Sequence, residues 1–169
     1  MAGVTFTLRL DDVAPRAALA RAVAGARDLT PLMEEIGSVL VNGAVERIGQ
    51  TNVTPEGTPW PKSLRAQLEQ GTTLHDSGQL MRSITEEASP GQAVVGSNMI
   101  YAGVHQAGAT IRAKSGGALS FTLANGESVM VGSVTIPARP YLGVSEDEAA
   151  DIEGLSVLYF TDLLEGEVH

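Results

Sequence analysis

A chain of 169 residues is long enough to bury one good hydrophobic core and short for two, so a single domain is expected. Hydrophobic residues make up 43 %, which suits a globular protein and argues against a disordered one, and the lack of cysteine excludes disulfides and thiolate chemistry. The net charge of −9 is uneven: from Ser145 onward stand eight acids (Glu146, Asp147, Glu148, Asp151, Glu153, Asp162, Glu165, Glu167) and no Lys or Arg, against 11 basic and 12 acidic residues in the body, a balance that disfavours sequence-specific binding to nucleic acid.

No apolar run reaches the length of a membrane span, and the opening MAGVTFTLRLDD lacks the regions of a signal peptide. The expectation is a soluble protein made in a cytoplasm, held together by packing or by assembly. VTFTLRL alternates, with Val4, Phe6, Leu8 and Leu10 on one side, and reads as a half-buried strand. APRAALARAVAGA reads as a short helix. A second helix follows, capped by Thr30 with Pro31 at its first position; Leu32, Ile36, Val39, Leu40, Ala44 and Ile48 form its stripe and Gly49 is placed to end it.

In TNVTPEGTPWPKSL three prolines and a glycine surround the only tryptophan, so Trp60 is expected to pin an irregular loop onto the body. DSGQLMRSI offers Asp76 as a cap with Gln79 three residues on, for a short helix presenting Leu80 and Ile84. After Ile84 the period becomes alternating. Pro90-Gly91 suits a type II turn, and Asn125-Gly126 a two-residue hairpin that would set Phe121 opposite Met130. Leu119, Phe121, Leu123 and Met130 would then share one face, with Val129 and Val131 on the other, a sheet in need of cover on both sides. Ser145 and Glu148 form a capping box for a last helix whose stripe is Ile152, Leu155, Tyr159 and Leu163; that stripe should dock on the sheet with the acids pointing away. The whole is an α+β single domain over residues 1–169: an N-terminal strand and helices to about 84, a mainly antiparallel sheet with an Asn-Gly hairpin over 84–137, and an acidic helix over 145–165.

The search for chemistry is mostly negative. GATIRAKS, from Gly108 to Ser115, approaches a phosphate-binding loop, but Ala113 stands where the second glycine is required, and Ile111 and Arg112 read as strand. No nucleophile elbow, zinc-protease motif or calcium loop occurs, and no cofactor or metal is expected. His105, in YAGVHQAG, has His75 and His169 too far off in sequence for ligand spacing and no nucleophile beside it. Its expected role is structural, its ring nitrogens bonding backbone groups among small residues that permit close packing. In IPARPYLG, Pro137 and Pro140 fix an extended path that displays Arg139, open to two readings: a weak surface ion pair, or an intersubunit contact to a carboxylate or carbonyl.

GTPWPKSL, LHDSGQLMRSI, VVGSNMIYAGVHQAG and IPARPYLGVSEDE occur in an order that resembles the phage virion morphogenesis family, the Mu-like tail completion or neck proteins. The resemblance runs from about Gly57 to the C-terminus and departs in the short RAQLEQGTTLH stretch and the unusually acidic last helix. It implies a non-enzymatic virion protein of the tail and neck, assembled in the host cytoplasm. Such a subunit would form a ring, a hexamer, that completes the tail and joins it to the head connector. Its partners would be its own copies, tail tube or terminator proteins and connector proteins, with DNA passing through the ring and no membrane involved. Tyr101, His105, Gln106 and Gly108 match one family motif and Arg139, Pro140, Tyr141 and Gly143 another. With Glu146, Asp147 and Asp151, the residues Tyr101, His105, Gln106, Arg139, Pro140 and Tyr141 are the interface candidates. The alternatives are a tail terminator or head-closure protein of the same particle, or a small hydrolase or binding module using His105.

Overall fold

The computed structural model describes residues 13–123 and 125–166. The strand expected over residues 4–10 lies outside them. Helices α1 (Val13–Gly25) and α2 (Thr30–Glu46) are followed by a π turn (Arg47–Thr51), a long loop, and the short helices α3 (Leu64–Leu68) and α4 (Gln79–Arg82). Then come β1 (Ile84–Ser89), β2 (Gln92–Ser97), α5 (Ala102–Ala107), β3 (Ala109–Arg112), a 3₁₀ turn (Lys114–Gly116), β4 (Leu119–Thr122), β5 (Ser128–Val131), β6 (Ser133–Ile136) and α6 (Glu146–Glu165).

The α+β class and the antiparallel pairing hold, but the described strands form three two-stranded ladders in place of one sheet: β1 with β2, β3 with β6, and β4 with β5. Helix α2 is the centre of the molecule. The β1–β2 hairpin packs on it, as does α6, and α1 packs on α6. Among the described residues the last helix therefore docks on helices and not on the strands. Its stripe does face inward, with Leu163 buried and Ile152, Leu155 and Tyr159 half-buried. The core gathers Ala44 and Ile48 from α2 and its π turn with Trp60, Leu80, Ile84, Ala102 and Tyr141, drawing apolar side chains from distant parts of the chain into one cluster.

The remaining pairs make a two-stranded ribbon over residues 109–136 whose strands pack chiefly on one another. Its register corrects the expected one. Leu119 lies opposite Val131 and Phe121 opposite Val129, so Leu119, Phe121, Val129 and Val131 share one face while Met130 falls on the other with Ser120. A shift of one residue turns every side chain over. The β4–β5 pair thus has its apolar residues on one face, apart from Met130. Its turn runs through Ala124, outside the described residues.

Three local signals also resolve differently. Thr30 lies inside α2, and the side chain that accepts its N–H is that of Asp28, at 3.0 Å. Gly49 does not stop the helix. The chain continues through the π turn to Asn52, left-handed at φ 54°, whose amide Nδ2 donates to the carbonyls of Arg47 and Ile48, each at 3.2 Å, groups the helix end would otherwise leave unpaired. Helix α4 starts after Gly78 with no side-chain cap, so Asp76 plays no such part. Pro90-Gly91 does join β1 to β2 directly, but Gly91 lacks the positive φ that a type II turn requires. The capping box of Ser145 and Glu148 is present at α6, and its three first-turn acids sit where the helix dipole favours them.

Candidate functional site

The two motif segments meet. After β6 the chain runs as an extended strap from Pro137 to Gly143 across α5, the tryptophan loop and the π turn, and most of the backbone groups from the Arg139 N–H to the Gly143 carbonyl are gripped by a named partner. The Arg139 N–H donates to the His105 carbonyl at 2.7 Å, and the indole of Trp60 donates to the Pro140 carbonyl at 3.1 Å. Gln106 Oε1 accepts from the N–H groups of Tyr141 and Leu142, both at 3.0 Å, and its Nε2 donates to the Leu142 carbonyl at 2.9 Å. Arg47 closes the far end, with Nε donating to the Tyr141 carbonyl at 2.9 Å and Nη2 to the Gly143 carbonyl at 3.1 Å. A strap without ladder partners would leave buried polar backbone unsatisfied, and side chains supply what a second strand would have given. Gly108 permits the approach: it takes φ +73°, and a Cβ there would stand 2.7 Å from the Ala138 nitrogen.

The candidates Tyr101, His105, Gln106, Arg139, Pro140, Tyr141 and the anchor Trp60 are thus brought together, within one subunit. Tyr141 is 1 % exposed, its hydroxyl donating to the Ala102 carbonyl at 3.3 Å. Arg139 is 4 % exposed and is not displayed on the surface; its Nε donates to the Pro61 carbonyl at 2.8 Å. The reason is the route of the strap, which passes under the tryptophan loop. Glu146, Asp147 and Asp151 lie elsewhere, exposed at the start of α6.

His105 also differs from expectation. Its backbone is bonded, but its ring stands edge-on to Tyr101, centroids 5.9 Å apart, and among the described residues Nδ1 is buried without a hydrogen-bond partner. Burial, and then the neighbouring Arg139 charge, hold its pKa below the usual histidine value, so the ring is neutral at pH 7. Burial likewise lowers the pKa of Arg139, and burial with the nearby Tyr101 raises that of Tyr141. These side chains border a cavity of about 430 Å³ lined by Arg139, His105, Tyr101, Arg65, Ser63 and Asp76, among others. The arrangement holds backbone in place and sets the Arg139 guanidinium, which has no carboxylate in ion-pairing distance among the described residues, on the cavity wall. Among the described residues no group of three His, Asp or Glu side chains could hold a metal ion, and no helix is long and apolar enough to cross a membrane. The near-match GATIRAKS forms strand β3 and the 3₁₀ turn after it, and not a phosphate loop.

Sequence reasoning missed Arg47 and Glu148 as a pair. Both are buried, with Arg47 Nη1 2.9 Å from Glu148 Oε1. A signal existed, since Arg47 is a lone cation between Ala44 and Ile48 on the buried side of its helix.

The sequence model of the phage virion morphogenesis family matches residues 10–160. A similar protein is the Mu-like prophage FluMu G protein 2 of Haemophilus influenzae (strain ATCC 51907 / DSM 11121 / KW20 / Rd), 33 % identical over 135 residues that cover 80 % of each chain. No solved structure matches.

Proposed function

The chain belongs to the phage virion morphogenesis family, and we propose that it is a ring-forming subunit of the neck, completing the head-proximal end of the tail and joining it to the head connector. The observation that supports self-association is the ribbon over 109–136. Two strands alone are marginal in water, and this pair carries Leu119, Phe121, Val129 and Val131 on one face, with no helix among the described residues packed over them to any comparable extent. A second copy supplies the missing layer. A ribbon on one copy meeting a different surface on the next is a heterologous contact, the kind that closes into rings. In this reading the partners are further copies in a hexamer, tail tube or terminator proteins on one side and connector proteins on the other, with DNA passing through. The protein resides in the virion and is assembled in the host cytoplasm.

Imaging particles that carry a labelled subunit tests this. A ring of density between tail and head is expected. A single asymmetric copy, or a label elsewhere in the particle, overturns it.

A further inference from the structure

Arg139 is buried without a counter-charge among the described residues. Among the described residues no carboxylate lies within ion-pairing distance of it, and its side chain makes one hydrogen bond, to the neutral Pro61 carbonyl. Burying a guanidinium in this way is costly unless an anion compensates it. The other cation on the cavity wall is already satisfied. Arg65 Nη1 lies 3.0 Å from Glu69 Oε2 and Nη2 donates to the carbonyls of Thr72 and His75, at 2.8 and 3.0 Å. Asp76 stays at the rim, its side chain 75 % exposed and 3.8 Å from Arg65 Nη1. Beside Arg139 the buried Nδ1 of His105 also lacks a partner among the described residues. A guanidinium with a single neutral hydrogen-bond partner, beside the His105 ring on the wall of one open cavity, describes a receptor whose occupant accepts hydrogen bonds and carries negative charge.

We propose that the cavity between α4, α5 and the strap is a receptor for one carboxylate side chain, held between the Arg139 guanidinium and the His105 ring, and donated by helix α6 of a second copy. The donor is argued from charge. Glu146, Asp147, Asp151 and Glu153 are exposed, no ion pair joins them among the described residues, and α6 contains no Lys or Arg. Receptor and donor are different patches of one chain, so the contact repeats head to tail, as a ring requires. The inference rests on the ring reading and adds to it a second contact between neighbouring copies, beside the one made by the ribbon.

The test has two arms, both on the full chain. In the first, propionate, a mimic of the glutamate side chain, is titrated at constant ionic strength while the ¹H–¹⁵N ring signals of His105 are followed by NMR. A saturable shift is expected, at least tenfold weaker in Arg139→Lys and absent in Arg139→Gln. No saturable shift in the wild type overturns the receptor, whether or not the variants fold. Equal response to chloride or inorganic phosphate overturns its selectivity for carboxylate, and binding seen only in Asp76→Asn shows that the chain's own Asp76 fills the site and overturns the second copy. In the second arm, self-association is measured by analytical ultracentrifugation. Replacing Glu146, Asp147, Asp151 and Glu153 by Gln or Asn should weaken it at least tenfold, and propionate should compete with it. Unchanged association of that variant overturns the proposed contact and leaves the ring reading standing. A chain that binds propionate yet never self-associates overturns the second copy as donor, and the ring reading with it.

Discussion

Arg47 and Glu148 form a buried ion pair, 2.9 Å between Nη1 and Oε1, that ties the end of α2 to the first turn of α6. The same carboxylate accepts the N–H of Ser145 through Oε2 as half of the capping box, and the same guanidinium holds the strap at Tyr141 and Gly143. Every charge-bearing atom in the pair is hydrogen-bonded, the condition under which a buried pair is tolerated. Removing one partner leaves the other uncompensated. Glu148→Ala should therefore cost about 3–5 kcal/mol of unfolding free energy, while replacing both residues by well-packed apolar ones should cost less than either single change. Urea denaturation followed by circular dichroism checks it; additive single-variant losses would show that the pair does not act as a unit.

Gly43, one turn before Arg47, should resist the usual helix-stabilising replacement. An alanine in a helix interior is favoured over glycine by about 1 kcal/mol, but a Cβ at Gly43 would collide with the Glu148 carboxylate. At Gly154 in α6 nothing lies within 4 Å of a Cβ. Gly43→Ala should lower the melting temperature and Gly154→Ala should raise it. The two substitutions share their chemistry, so an equal effect would mean that the Glu148 contact does not decide the outcome.

Gln106→Leu tests the strap. Leucine fills similar space but leaves the N–H groups of Tyr141 and Leu142 without an acceptor, at about 1–3 kcal/mol for each buried donor. A loss of at least about 2 kcal/mol is expected, with faster hydrogen exchange at the amides of Tyr141 and Leu142. Unaltered exchange at those two amides would remove Gln106 from the account.

The contrast between these contacts and the legible parts of the sequence is one of distance. The capping box of α6 and the apolar stripe of α2 were readable because each is fixed within one or two turns of helix. Arg47 and Glu148 are 101 residues apart, and Gln106 and the strap 35 or 36, so no local period could announce them. Turn chemistry misled at the ribbon. Asn125-Gly126 reads as a two-residue turn, yet the Leu123 N–H donates to the Glu127 carbonyl and the register slips by one, exchanging the faces of Val129 and Met130. The motif residues were found, but as exposed interface candidates; burial of Arg139 and Tyr141 depends on the tryptophan loop and π turn closing over the strap, which is tertiary information.

His105 makes stability depend on pH in a stated direction. Its folded pKa lies below the unfolded value of 6.5 because burial and Arg139 disfavour the charged ring, so below pH 6.5 the unfolded chain binds the proton more readily. Stability should be greatest above that value and fall as the pH drops through it toward the folded pKa. Tyr101 and Arg139 face the ring, and Arg65 and Asp76 line the same cavity, so the comparison is made with His105→Gln, which leaves those groups in place. The difference in unfolding free energy between wild type and variant should shift in favour of the variant between pH 7 and pH 5. A difference independent of pH in that window would mean that the ring does not titrate differently in the two states.

The ribbon separates the stability of the subunit from its assembly. Phe121 is 38 % exposed and Val129 faces it across the ladder, so neither contributes the burial of a core residue. Threonine is β-branched, as strands favour, and removes most of the apolar surface at both positions. Phe121→Thr with Val129→Thr should therefore change the unfolding free energy of the isolated subunit by no more than about 1 kcal/mol, the scale of cross-strand pair effects, while lowering the yield of joined particles in a complementation assay. Since the apolar face is what a second copy would cover, loss of joining without loss of fold is the outcome that the ring reading requires. Wild-type yields from a folded double variant would show that the ribbon's apolar face is not the surface on which copies meet.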